Sequence, residues 1–216
     1  MARSRTPPAH RPTLEHELQL WQQGYHSIAG LDEAGRGAWA GPVFAAAVIL
    51  PHDERILQLL NGVNDSKKMT PHQRERWQGC IKAASLDWAI GSVSNQEIDQ
   101  MGIVAATRAA MLRALAQLRY KADHLLIDYM RLTESNLPQI CLPKGDSLCL
   151  SIAAASILAK TARDALMIEI DSQYPTYGFA AHKGYGTARH RTALQTTGLC
   201  EIHRVSFEPM RSVHGN

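Results

Sequence analysis

Two carboxylates stand where an apolar run gives out. Tyr25 to Asp32 and His124 to Asp128 each read as a short strand closed by an acid. In α/β sheets, ligands gather outside the carboxyl ends of strands. If these two strands are parallel neighbours, their acids lie roughly 5 Å apart. Carboxylates that close repel, and one must hold a proton unless a cation joins them. An all-oxygen donor set completed by water suits Mg²⁺ or Mn²⁺ rather than zinc. A turn residue or a helix cap is the plainer reading of either acid alone. The pair, with Asp32 opening the string Asp32-Glu33-Ala34-Gly35-Arg36-Gly37, points to a metal.

Other candidates are more open. Asp146, in Lys144-Gly145-Asp146, precedes an apolar helical stretch, so by itself it reads as an N-cap. Glu33 follows Asp32 directly, and consecutive strand residues face opposite sides of a sheet. It joins Asp32 only if the chain is already turning. Gly35, Arg36 and Gly37 let the backbone approach a ligand and present N–H groups to it. Gly35-x-Gly37-x-x-Ala40 formally matches a dinucleotide fingerprint, but Gly41-Pro42 and a β-rich run follow where that motif needs a helix. Asn64-Asp65-Ser66-Lys67-Lys68 reads equally as a contact to a nucleic-acid backbone or as a solvated loop. Tyr174 to Gly186 is rich in glycine and aromatics, with basic neighbours; its rings could stack on bases or sugars, whereas Phe179 is expected to pack inside.

The elements that must position these residues follow from periodicity. Leu14 to Gln23 is weakly helical, and Pro42 to Leu50 is an apolar, β-branched buried strand. Thr70-Pro71-His72-Gln73 is a capping box that opens a helix with Trp77, Cys80, Ile81 and Ala84 inward. Leu86, Trp88 and Ile90 alternate as a strand does. Ser94 to Glu97 caps one long helix carrying Ile98, Met101, Val104, Met111, Leu115 and Leu118 as a single stripe. Gln139 to Leu142 can add a strand; Ser151 to Ile170 and Thr187 to Thr196 are helices. The expected class is α/β with a mixed sheet.

Composition bounds the rest. The chain has 216 residues, 45% hydrophobic and 20% charged, which excludes wholesale disorder and favours one domain. Lys plus Arg is 23 against 20 for Asp plus Glu, a balance of +3 that permits a polyanion without demanding one. The basic residues are uneven. Between His182 and Asn216 lie Lys183, Arg189, Arg191, Arg204 and Arg211 against Glu201 and Glu208, and Arg3, Arg5 and Arg11 begin the chain with no acid among them. That footprint suits nucleic acid. The cysteines form no CxxC pair; Cys80 and Cys149 read as small core residues. No apolar stretch reaches the roughly 18–20 residues of a membrane span, and no signal peptide is expected. Residues 1–13 read as a loose tail and 14–216 as one domain, in a cytoplasmic protein.

Taken together, these segments resemble the bacterial ribonuclease HII family, the type 2 ribonucleases H. The resemblance is carried by Gly30-Leu31-Asp32-Glu33-Ala34-Gly35-Arg36-Gly37, Gly41-Pro42-Val43, Asn64-Asp65-Ser66-Lys67-Lys68, Leu126-Ile127-Asp128 and Lys144-Gly145-Asp146. Ser151 to Lys160, His182-Lys183-Gly184-Tyr185-Gly186-Thr187 and His203-Arg204-x-Ser206-Phe207-x-Pro209 complete it, in family order.

It implies a ribonuclease H-like fold, a mixed central sheet flanked by helices with a short helical C-terminal part. It also implies a metal-dependent endonuclease that cuts the RNA strand of RNA–DNA hybrids and incises 5′ of single ribonucleotides in duplex DNA, leaving a 3′-hydroxyl and a 5′-phosphate. Such activity serves ribonucleotide and RNA-primer removal. By the same resemblance Asp32, Glu33, Asp128 and Asp146 are the catalytic acids, holding two Mg²⁺ or Mn²⁺ ions when substrate is bound. Gly35, Arg36, Gly37 and Tyr185 would sense the RNA–DNA junction. Asn64, Ser66, Lys67, Lys68 and the basic C-terminal segment would hold the nucleic acid, with no membrane partner and a monomeric protein. The alternative is a hybrid-binding module without catalysis. Members often carry Gly after the third acid, where this chain has Tyr129, and only seven residues follow Pro209.

Overall fold

The computed structural model describes residues 11–214. Five strands form one sheet in the order β3-β2-β1-β4-β5. They are β1 (Ile28–Ala34), β2 (Val43–Ile49), β3 (Asp87–Val93), β4 (His124–Asp128) and β5 (Gln139–Leu142). β1 pairs antiparallel with β2 and β2 with β3; β4 joins β1, and β5 joins β4, in parallel. The mixed sheet expected from the sequence is therefore present. β2 can sit inside it because Val43 to Ile49 offers almost nothing polar to either face.

Helices cover both faces. On one, α6 (Leu150–Asp171) packs on β1 and β2, with α3 (Pro71–Ala84) beside it and α1 (Glu15–Gln22) in the same apolar cluster. On the other, α5 (Ile103–Ala116) packs on β2 and β3. Short helices α2 (Arg55–Leu59), α7 (Phe179–His182) and α9 (Met210–His214), with α8 (Ala188–Thr197), complete the chain. α7, α8 and α9 share a third cluster around Tyr177, Phe179 and Met210, and Phe179 is fully buried as expected.

Several expectations need correction. The single long helix from Ser94 is two, α4 (Asn95–Met101) and α5, broken at Gly102 with φ +79. A left-handed glycine ends a helix at little steric cost, and the break leaves Met101 and Val104 of the presumed stripe exposed. Cys80 is exposed on α3; the inward side chain there is Ile81. Of the presumed tail, residues 1–10 lie outside the described part, but Pro12 is buried and Thr13 bridges to Cys149 in parallel. Among the described residues, no helix is long and apolar enough to cross a membrane.

Candidate active site

β1 does not stop at Asp32 but continues through Glu33 to Ala34, pairing with Phe44 on β2. Its parallel partner stops first. Leu31 is paired with Ile127, so the register continued by one residue sets Asp32 beside Asp128, the last residue of β4. The parallel adjacency expected of the two acids is met. Asp32 is buried, and Glu33 is half-buried on the next position. Glu33 reaches the cleft without a turn because β4 has already left the sheet, and nothing pairs with β1 on that side beyond Leu31.

Asp146 is not an N-cap, and the expectation is corrected. It lies in a short 3₁₀ turn, Gly145–Ser147, ahead of α6, whose cap position is Cys149 and carries no side-chain cap. The Ser151 N–H at the head of α6 donates instead to Glu17 Oε1 of α1, at 2.9 Å. Asp146 is thus released from capping and faces the cleft, buried. The same turn is tied to Asp128: the Gly145 N–H donates to Asp128 Oδ1 at 2.7 Å.

The four acids share one open cleft of about 450 Å³ or its floor. Burial raises the pKa of Asp32 well above the carboxylate range, and Glu33 and Asp128 raise it further. Burial likewise raises Glu33 and Asp128, and lifts Asp146 to about 6 with Asp65 and Asp128 adding to it. Such a set resists full ionisation unless a cation neutralises it. Asp65, which the sequence reading passed over, is a fifth carboxylate at this cleft. Its only signal was its place between Asn64 and Ser66 in the polar loop.

One cation is already there. Lys67 Nζ lies 3.9 Å from Asp146 Oδ2. Burial pulls its pKa down, but Asp32, Asp146, Asp65 and Asp128 outweigh that and hold it above the usual lysine value. The loop is fastened below it: Ser66 is buried, its Oγ 2.9 Å from Ser156 Oγ of α6, and the Ser156 hydroxyl offsets part of the rise in the Asp32 pKa. Asn64 lines neither this cleft nor the adjoining one; its Oδ1 accepts the Asp65 N–H at 2.8 Å.

The adjoining cleft is built on Glu33 to Gly37 and contains Lys160 and Tyr185. Gly35 has φ +91, and a Cβ there would lie 1.9 Å from Arg163 Nε, so only glycine fits. Two fully buried arginines shape this loop. Arg204 donates to the carbonyls of Gly35 (2.8 Å), Arg36 (3.0 Å) and Gly41 (2.9 Å). Arg163 donates to Pro42 (2.9 Å), Ala40 (3.1 Å) and Lys183 (2.9 Å), which joins the loop to the segment bearing Tyr185. Arg204 is therefore internal and unavailable to phosphate, contrary to the expectation for the basic C-terminal segment. Tyr185 is 37% exposed, with Arg163 Cζ at 5.5 Å and Lys160 Nζ at 5.7 Å from its ring centroid.

Among the described residues, no three His, Cys, Asp or Glu side chains close into a ready cage for an ion. The donor chemistry nevertheless fits a hard divalent cation: carboxylate oxygens only, mutually repelling, in an open cleft where water and substrate oxygens can complete the shell.

Comparisons with known proteins show the family and the fold. The family model described as Ribonuclease HII matches residues 29–210. The Ribonuclease HII of Roseiflexus castenholzii is 54% identical over 202 residues, covering 92% of this chain and 89% of that protein. The crystal structure of the ribonuclease H2 from Pyrococcus horikoshii OT3 superposes with a TM-score of 0.73 at 27% identity, covering 88% of this chain and 97% of that one. At 19% identity, the Bst-RNase HIII structure in complex with Mn²⁺ shares the fold, with a TM-score of 0.65 over 99% of this chain and 76% of that one.

Proposed function

The chain belongs to the ribonuclease HII family and is a divalent-metal-dependent endoribonuclease that cleaves the RNA of RNA–DNA hybrids, and we propose that it cuts at the cleft where Asp32, Glu33, Asp128 and Asp146 meet. The observation that carries this assignment is the register placing Asp32 beside Asp128 on parallel strands, with Asp146 tethered next to them through Gly145. A hybrid-binding module without catalysis is set aside by the family's activity.

The four acids would hold Mg²⁺ or Mn²⁺. When bound, the ions supply an activated water and charge stabilisation for a phosphodiester displacement. The chain's own residues do the remainder. Lys67, kept charged by the carboxylates around it, supplies positive charge to the phosphate at the cleft. Arg36, 3.7 Å from Glu33 and half-exposed, offers a second charge at the same rim. Gly35 to Gly37 line the adjoining cleft, and their backbone reads the 2′-hydroxyl, the group that separates RNA from DNA at a single position. Tyr185 lies beyond that loop and packs on the next, deoxy, sugar. This arrangement favours incision 5′ of an embedded ribonucleotide, with 3′-hydroxyl and 5′-phosphate products.

The test is the ratio of kcat/KM on two substrates: a duplex with one embedded ribonucleotide, and a continuous hybrid. Tyr185→Ala should lose roughly ten- to hundredfold on the first and less on the second, the scale of one lost stacking contact. Equal loss on both, with a lower Tm, would make Tyr185 a packing residue and leave junction sensing to Gly35, Arg36 and Gly37.

A further inference from the structure

Tyr129 follows Asp128 and sits in a conformation that a bulky side chain avoids. Its φ is +63. The Met130 N–H donates back to the Asp128 carbonyl at 2.7 Å, closing a three-residue turn centred on Tyr129. The turn with positive φ at its centre is the rare, strained form. The Tyr129 N–H is also used, donating to Leu142 O at 3.1 Å. Beyond the turn the chain dives inward, with Met130 and Leu132 buried, while Tyr129 is left 66% exposed.

The ring is therefore not held there by the core, and a residue without a Cβ would adopt the same turn with less strain. Tyr129 does line the acid cleft, together with Lys144, a second non-glycine residue with positive φ, at +61. Tyr185 belongs to the adjoining cleft, and the two clefts share Glu33, Arg36 and Lys67. Each of the two clefts that meet at Glu33 is thus lined by one tyrosine.

We propose that Tyr129 is a substrate-packing residue, its ring seated on a nucleotide of the RNA strand on the side of the scissile phosphate away from Tyr185. The proposal rests on the cleft being the cutting site. Stacking on an aromatic face is indifferent to base identity, so the contact adds grip without sequence preference. Ground-state packing of this kind acts on substrate binding, so its loss raises KM and spares kcat.

The experiment compares wild type with Tyr129→Gly, Tyr129→Asn, Tyr129→Phe and Asp128→Asn on a continuous RNA–DNA hybrid in Mg²⁺, with Tm values alongside. Gly and Asn both tolerate the turn but lack the ring. Both should raise KM about tenfold with kcat within about twofold, and Gly should leave Tm unchanged or higher. Phe should stay within about twofold of wild type in KM. Tyr129→Gly with an unaltered KM, a loss confined to kcat, or a fall in Tm would overturn the proposal, as would Phe behaving like Gly. Cleavage by Asp128→Asn at the wild-type rate would instead overturn the siting of the reaction; an inactive Asp128→Asn beside an unaffected Tyr129→Gly would overturn the packing role alone.

Discussion

Asp128 carries its charge into a corner that already holds Asp32 and Asp146, and burial pushes all three toward the protonated form; Glu33 and Asp128 push Asp32 further, Asp65 and Asp128 push Asp146, and Asp65 pushes Asp128. Replacing Asp128 with Asn removes one repelling charge and keeps an oxygen to accept the Gly145 N–H. Without metal, Asp128→Asn should melt at the same temperature or higher, by about 2–4 °C per kcal/mol of relieved repulsion. Adding Mg²⁺ should raise Tm in wild type more than in the variant, since only ligand bound to the native state stabilises it. Cleavage of a hybrid should fall below detection. A variant that still cuts in saturating Mg²⁺, or that melts lower without metal, would show that Asp128 is a structural acid.

The element that presents Tyr185 is held from behind by histidines. His190, buried on α8, points Nδ1 at the Tyr185 carbonyl (3.0 Å), which can only accept, so Nδ1 carries the proton. Its Nε2 then accepts from His203 Nε2 at 3.0 Å, and His203 Nδ1 accepts the Cys200 N–H at 2.9 Å. His182 stacks on the same ring, and Tyr177, Phe179 and Trp39 surround it. This chain works only with neutral rings. Burial lowers the His190 pKa to about 4, with His182 and His203 adding to it, against 6.5 for a free histidine. The folded value is the lower one, so the unfolded chain takes up a proton that the native state refuses. Stability is complete above about pH 6.5 and drains away as pH falls toward 4. His190→Asn, whose amide replaces the Nδ1 donor, should show a smaller fall in Tm between pH 7.5 and pH 5 than wild type; an equal fall would place the acid sensitivity elsewhere. None of this network is legible in the sequence, where His190 is one residue of a basic stretch and His203 opens the last motif of the resemblance, with nothing in their spacing to pair them. Periodicity did reveal the strands, because β2 and β4 are covered on both faces and read as apolar runs. It failed at Gly102, where a backbone conformation overrides a continuous stripe, and at Asp146, because the residue at the head of α6 is capped by Glu17 from a distant helix. Such long-range partners leave no local spacing to read.

At the scale of the whole molecule, a net charge of +3 understates the grip on a polyanion and the basic C-terminal count misplaces it. Arg163 and Arg204 are interior struts, each spent on three backbone carbonyls. The cations lining the three linked clefts come from separate parts of the chain: Arg36, Lys67, Lys68 and Lys144 beside the acids, then Lys183 past Tyr185, with Lys160 and Arg74 there paired to Asp164. Clefts sharing Glu33, Arg36 and Lys67, and then Lys160 and Tyr185, make one continuous track across the sheet edge. A backbone lying in it would release counterions in proportion to the phosphates neutralised, so binding should weaken linearly in log–log terms as salt rises. Lys67 is the most telling member, with its side chain 77% exposed and its charge secured by the carboxylates beneath. Measured in the Asp128→Asn background so that no substrate is consumed, Lys67→Ala should flatten the slope of log affinity against log salt by roughly 0.7–0.9, the share of a single phosphate contact. The weakening should be the same for hybrids of different sequence, because a phosphate contact reads no base. An unchanged slope would remove Lys67 from the phosphate track. A slope that flattens only for some sequences would mean that Lys67 reaches a base edge.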